Sequence, residues 1–123
     1  MQNQSSKLKT DLKHRAYRYS IDVIEFIDTL SKDTSTEIIA KQLLRSATSV
    51  GANIVEAKGS SSKRDFTNFF SYALKSANES LYWLGLLRDA KRINNAQIEH
   101  LLSETEELAN ILGSSVLTLK GRK

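Results

Sequence analysis

A chain of 123 residues with 18 basic and 14 acidic side chains, and a net charge of +4, is long enough for one hydrophobic core and too short for two. Its apolar fraction of 40% and charged fraction of 26% are those of a globular protein, and they indicate neither disorder nor a membrane protein. The absence of cysteine excludes disulfides, thiol nucleophiles and thiolate zinc sites, and the absence of proline is typical of long helices. Because residues 1–10 are polar and lack the apolar core of a signal peptide, we expect a cytoplasmic protein with one domain over residues 1–123.

Three clusters of polar cap-type residues divide the chain. They lie at 31–35, 59–62 and 94–95, and the segments that remain run from about 7–30, 35–58, 63–91 and 96–119. Gly59 is predicted to follow the second segment as its C′ residue. Ser62 is predicted to cap the third segment, with Asp65 three residues later in a variant of the capping box.

Each segment repeats apolar residues at intervals of three and four, which predicts helices. Tyr19 falls in the stripe of the first helix, and Thr105 falls in that of the fourth. At 1.5 Å per residue the four rods are roughly 36–44 Å long, and short loops make neighbouring rods antiparallel. The predicted fold is therefore all-α, an antiparallel up-down-up-down four-helix bundle.

A second apolar set lies outside these stripes. Its members are Tyr17, Ile21, Ile24, Leu44, Val55, Phe69 and Trp83. A wide apolar arc is either a generous core face, since bundle helices bury about three positions in seven, or a second interface that closes an oligomer. We expect self-association.

The middle of the second helix is rich in small and polar residues. Gly51 within a helix costs about 1 kcal/mol relative to alanine, so close packing of a neighbouring backbone is its expected compensation. Arg45, Asn53, Glu56 and, on the third helix, Glu79 form either a structural polar network or a ligand or metal site. The structural interpretation is favoured, with Asn53 and Glu56 at least half-buried near Glu79.

These stretches carry a resemblance to a known family. The matching residues are Arg45, Ala47, Ser49, Asn53 and Glu56 in one block, and Ser62, Lys63, Phe66, Phe70, Ala73, Leu74, Ser76, Glu79, Leu84 and Leu87 in the other. The chain resembles the bacterial four-helix-bundle proteins encoded in intervening sequences of large-subunit ribosomal RNA genes. That family is similar in turn to the accessory variability proteins of diversity-generating retroelements. Many relatives have proline at the position of Gly51, so the second helix is expected to be straighter here.

The resemblance implies a four-helix bundle that assembles into ring-like homopentamers. It also implies RNA, DNA or a reverse transcriptase as possible partners, since the retroelement relatives bind nucleic acid and that enzyme. The resemblance implies no reaction and no cofactor.

The charge is concentrated at one end of the predicted bundle, where the first helix begins, the second and third are joined, and the fourth ends. The basic residues there are Lys7, Lys9, Lys13, Lys58, Lys63, Arg64, Lys120, Arg122 and Lys123, against three acidic residues. The remainder of the chain holds nine basic and eleven acidic residues. Such an end would attract phosphate backbones, although lysines near helix C-termini also serve the helix dipole and solubility.

Enzyme signatures are weak in this sequence. Neither His14 nor His100 has the Glu-x-x-His spacing of a di-iron bundle, and each is interpreted as a solvated helix residue. The sequence also contains no glycine-rich phosphate loop and no Gly-x-Ser-x-Gly nucleophile elbow. We therefore expect no catalysis and no metal. The expected function is a non-catalytic, oligomeric nucleic-acid-binding accessory protein that uses the basic end. The alternative is an oligomeric protein-interaction scaffold with no nucleic-acid role.

Overall fold

The computed structural model describes residues 4–121, with side chains from residue 12 onwards. Its helices are α1 (Gln4–Asp28), α2 (Thr34–Lys58), α3 (Lys63–Ala90) and α4 (Ala96–Leu119). These bounds depart from the predicted ones by at most three residues. Residues 4–121 contain no strand, so the predicted all-α four-helix fold is confirmed.

Side-chain caps start the last three helices. The carboxylate of Asp33 and the amide oxygen of Asn95 each accept a backbone N–H three residues ahead, as does the hydroxyl of Ser62. Each cap satisfies one of the four N–H groups that a helix start leaves without a partner. The predicted role of Ser62 is thus confirmed, whereas Gly59 is the C-cap itself with φ −89°, so its left-handed freedom is not used.

The turn after α3 has an unusual backbone. Arg92 has φ +57°, in the left-handed region that glycine normally occupies after a helix. The strain costs about 1–2 kcal/mol for a residue with a Cβ atom. Arg92 is exposed, so no burial of its side chain offsets that cost.

The four apolar stripes form one core, with each helix packed against its sequence neighbours and α1 packed against α4. The largest fully buried side chains are Tyr19, Val23, Phe26, Leu43, Val50, Ile54, Leu84, Leu87, Ile98, Leu101, Leu108 and Leu112. Among the described residues, the α2–α3 interface is the most extensive, and the interface between α1 and α4 is the smallest. α1 approaches α2 closely at Gly51, where an added Cβ atom would lie 3.4 Å from Ala16 Cβ. The predicted compensation for a glycine within the helix is therefore confirmed.

A layer of buried hydroxyl groups crosses the core, with one group from each helix. Tyr19 Oη and Thr105 Oγ1 are 2.7 Å apart, and Ser46 Oγ and Ser80 Oγ are 2.8 Å apart. Thr105 also donates to the Leu101 carbonyl at 2.5 Å. Burial raises the pKa of the Tyr19 phenol, against the lowering effect of the Thr105 and Ser80 hydroxyls. Because a buried polar group needs its partner, this layer favours one register of all four helices.

The apolar stretches of these helices serve the core. Within residues 4–121, no helix combines the length and the apolar character that crossing a membrane requires.

Candidate nucleic-acid interface

The α2–α3 connection places two cations at a helix start. Ser62 Oγ accepts the N–H of Asp65 at 3.1 Å and so begins α3 at Lys63. Lys63 and Arg64 are therefore the first two helical residues, and both side chains are exposed. At this position the positive end of the helix dipole adds to their charge.

A shallow surface depression joins the connection to the end of α4. Its lining comprises Ala57, Lys58, Ser60, Ser61, Ser62, Lys63, Phe66 and Leu119. Two lysines of this lining, Lys58 and Lys63, are exposed, and so is Lys120, which follows Leu119 in sequence. Two of the predicted basic residues therefore line one depression that also offers serine hydroxyls.

The other predicted basic residues are less fully described. Lys13 is exposed on α1 and lies about one turn from Ala16 towards the same end of the bundle. The side chains of Lys7, Lys9, Arg122 and Lys123 lie outside those that the structure describes. Among the side chains of residues 12–121, the ion pairs involve none of the basic residues at this end.

The predicted polar network is present only in part. Arg45 pairs with Glu79 across the α2–α3 interface, and the same carboxylate oxygen accepts Trp83 Nε1–H at 2.8 Å. Gln42 Oε1 accepts a second Arg45 N–H at 3.1 Å. The cluster joins α2 to α3 at the surface of the bundle.

Asn53 and Glu56 lie away from that cluster. Asn53 is half-buried, but its Nδ2 donates to the Ser49 carbonyl of its own helix at 2.8 Å, and Glu56 is exposed. The prediction that Glu56 is buried near Glu79 is wrong. Because α2 and α3 are antiparallel, Glu56, eleven residues past Arg45, is displaced from Glu79 by about 16 Å along the axis.

The α1–α4 interface brings together residues that the sequence did not connect. One surface depression is lined by His14, Arg15, Tyr17, Arg18, Tyr19, Asp22, His100 and Glu104. Arg15 donates to both Glu104 oxygens, at 3.1 and 2.7 Å, and to Glu107 Oε1 at 3.3 Å. The hydrogen bond with Glu104 is the main reason that the pKa of Arg15 is raised.

The two histidines take part in this interface without forming a metal site. His100 Nε2 lies 3.4 Å from Asp22 Oδ2, and both His14 and His100 are exposed. No group of three His, Cys, Asp or Glu side chains among the described residues has the arrangement of a metal site. Arg15 and Asp22 each have a polar partner on α4, so the arrangement stabilises the docking of α1.

The second apolar set separates by exposure, with Ile21 half-buried on α1. Phe69 and Trp83 are half-buried and pack against the core. In contrast, Tyr17 and Ile24 on α1 and Leu44 and Val55 on α2 are exposed, Tyr17 by 70%. Tyr17 and Ile24 are seven residues apart and Leu44 and Val55 eleven apart, so each pair occupies one face of its helix. We refer to Tyr17, Ile24, Leu44 and Val55 as the apolar strip.

Comparison with known proteins covers most of the chain. No curated protein matches the chain. It is similar to a crystallised protein of unknown function from the S23 ribosomal protein family of Bacteroides thetaiotaomicron VPI-5482, with 34% sequence identity and a TM-score of 0.78. That similarity covers 85% of this chain and 97% of the other. The model of the 23S rRNA-intervening sequence protein family matches residues 9–114, and the chain therefore belongs to this family.

Proposed function

We propose that this chain is a non-catalytic, cytoplasmic accessory protein that binds nucleic acid through the basic end of its bundle and acts as a homo-oligomer. The observation that carries the proposal is the depression shared by the α2–α3 connection and the end of α4, with Lys58 and Lys63 on its rim. Phosphate groups are the ligands that such exposed cations and helix N–H groups favour.

The electrostatics of the basic end support this proposal. Elsewhere on the described surface, four of the nine cations, Arg15, Arg45, Arg88 and Lys91, are paired with a carboxylate. The exposed cations of the basic end have no such internal partner within residues 12–121, so their charge is available to a polyanion. Release of counterions from a phosphate backbone then supplies the binding free energy.

Lys63 and Arg64 are the cations that stability alone explains least well. A positive side chain in the first turn opposes the helix dipole by a few tenths of a kcal/mol. Two such residues follow each other here, whereas lysines at helix ends such as Lys58 and Lys120 favour the dipole. Binding of an anion would compensate for the unfavourable placement.

The apolar strip supports the oligomeric part of the proposal. Its four exposed apolar side chains lie on the two adjacent helices α1 and α2, where a second copy of the chain would cover them. A cyclic assembly of parallel protomers, with the pentamer as the expected form, would gather the basic ends on one rim. The rim would then bind several phosphates at once.

The test compares Lys63→Gln/Arg64→Gln with the parent protein. The double variant should retain or gain thermal stability, since two cations leave the positive end of the dipole. Its affinity for RNA and DNA in a gel shift should fall. The slope of log affinity against log salt should become shallower by about 0.7–0.9 for each phosphate that the variant no longer neutralises.

Lys32→Gln/Lys41→Gln is the matched control, because it removes two exposed lysines outside the basic end. This variant should keep the parent's salt slope. Absence of nucleic-acid binding in the parent, or equal losses of affinity in both double variants, would contradict the proposal. Light scattering that gave 13.8 kDa at micromolar concentration would contradict its oligomeric part.

A further inference from the structure

One outward stripe of α3 continues from the basic end along the bundle. Residues at spacings of four and three share this face, which we call the tyrosine stripe. It consists of Arg64, Asn68, Tyr72, Lys75, Glu79 and Tyr82. All are exposed except the half-buried Glu79, and the two tyrosines are exposed by 50% and 62%. Two large, open rings on the solvent face of a helix have no role in the core.

Each tyrosine ring of the stripe is held by a half-buried aromatic neighbour. Tyr72 meets Phe69 edge to face, with ring centroids 6.0 Å apart and planes at 86°. Tyr82 meets Trp83 in the same way at 5.1 Å and 73°. Phe69 and Trp83 themselves pack against the core, and Trp83 is fixed further by its hydrogen bond to Glu79. The exposed rings are therefore held in position before any partner arrives, which lowers the entropic cost of binding.

The tyrosine stripe has a net positive charge because its carboxylate is neutralised by an arginine of α2. Glu79 is the stripe's carboxylate, and Arg45 from α2 pairs with it. Arg64 and Lys75 have no ion-pair partner among the described side chains. Lys75 lies between the two tyrosines along the helix. The surface thus alternates aromatic rings with unpaired cations.

We propose that the tyrosine stripe binds single-stranded nucleic acid, with unpaired bases stacked on Tyr72 and Tyr82 and phosphates held by Lys75 and Arg64. This proposal rests on the proposed function and names the kind of strand that the bundle prefers. Aromatic rings bind the faces of bases, and a duplex offers no free faces along its length. The stripe selects unpaired strands for that reason, and the basic end supplies attraction that does not depend on sequence.

The dimensions agree with a strand that continues from the basic end. Tyr72 and Tyr82 are ten residues apart, about 15 Å along the axis, and Arg64 lies about 12 Å before Tyr72. Bases stacked on both rings would therefore be separated by linking nucleotides whose phosphates pass Lys75. The strand would reach the first turn of α3, where Lys63 and Arg64 lie.

The experiment measures binding of a labelled oligouridine and of an oligouridine–oligoadenosine duplex to the full chain by fluorescence anisotropy. Tyr72→Leu and Tyr82→Leu keep helix propensity and apolar volume but remove the aromatic ring. Each should weaken binding of the single strand by about 5- to 100-fold, and leave duplex affinity and the salt slope unchanged. Tyr72→Phe and Tyr82→Trp keep an aromatic ring, so each should bind the single strand as the parent does. Ile38→Ala, at an exposed apolar residue of α2 outside both the tyrosine stripe and the apolar strip, is the control and should bind as the parent does.

The outcomes separate this proposal from the previous one. If both leucine variants bind the single strand as the parent does, while Lys63→Gln/Arg64→Gln weakens binding, the stripe has no role and the basic end remains the site. If the leucine variants change the molar mass measured by light scattering, the stripe is a protein interface and the proposal is overturned. If the parent binds neither probe, both proposals are wrong.

Discussion

The buried hydroxyl layer predicts an asymmetric response to two nearly isosteric substitutions. In Thr105→Val the Tyr19 hydroxyl loses the oxygen that lies 2.7 Å away in a fully buried setting, and stranding such a group costs about 1–3 kcal/mol. The Ser80 hydroxyl also lowers the pKa of Tyr19 and is therefore a second polar neighbour of the phenol. Because this neighbour remains in Thr105→Val, we expect the loss of unfolding free energy to lie in the lower half of that range. In Tyr19→Phe, Thr105 keeps its bond to the Leu101 carbonyl, so the free energy of unfolding falls by only about 1 kcal/mol.

The double variant is the sharper measurement. With both hydroxyls removed, no polar group of the pair is left unsatisfied, so Tyr19→Phe/Thr105→Val should be more stable than Thr105→Val alone. Urea unfolding followed by circular dichroism, at one fixed chain concentration because the protein is expected to self-associate, gives the three free energies. Tyr82→Phe, at an exposed phenol outside the core and the apolar strip, should be neutral. Additive destabilisation in the double variant, or a Thr105→Val variant as stable as the parent, would refute the reasoning.

Two further predictions concern the loops at the opposite end of the bundle. Arg92→Gly should stabilise the protein by about 0.5–1 kcal/mol, because relief of the left-handed strain exceeds the entropic cost of glycine, and thermal unfolding should show a higher Tm that Arg92→Ala does not reproduce. Hydrogen bonds from Lys91, and further from Ser31 and Thr36, hold the pKa of Asp33 well below its usual range. The ionised carboxylate should therefore stabilise the protein at pH values above its unfolded pKa of about 4. That stabilisation should be lost as the pH falls towards the lower folded pKa. Asp33→Asn retains an acceptor for the Thr36 N–H, so its Tm should depend less on pH between about 5 and 2. An equally steep acid limb in that variant would show that other carboxylates control it.

The helices were predictable because their signals are local. Apolar spacing of three and four residues and the capping side chain of Ser62 act within one or two turns, so the sequence alone places them. The buried hydroxyl layer was not predictable, since Tyr19 and Thr105 simply continue their apolar stripes, and their pairing depends on how α1 meets α4. The depression with His14 and His100 depends on that same long-range register.

The candidate site shows the same limit. That Lys58, Lys63 and the end of α4 share one end of the bundle follows from topology, which depends only on the number and length of the helices. The placement of Glu56 failed because residues that share a face of α2 meet different turns of an antiparallel partner. Helical periodicity shows which side of a helix a residue lies on, whereas its contact on the neighbouring helix depends on how the two helices are aligned along their axes.

The unequal interfaces of α1 have a consequence for the motions of the native protein. Among the described residues, α1 meets its neighbours through smaller interfaces than those that join α2, α3 and α4, and its packing on α4 includes the Arg15–Glu104 ion pair, which salt screens. Local opening takes least free energy where it exposes little apolar surface, so α1 should detach first and leave α2–α4 together. Amide hydrogens of α1 would then exchange fastest among the helices, and faster still at high salt. The bundle would thus behave as a stable three-helix body with one detachable helix.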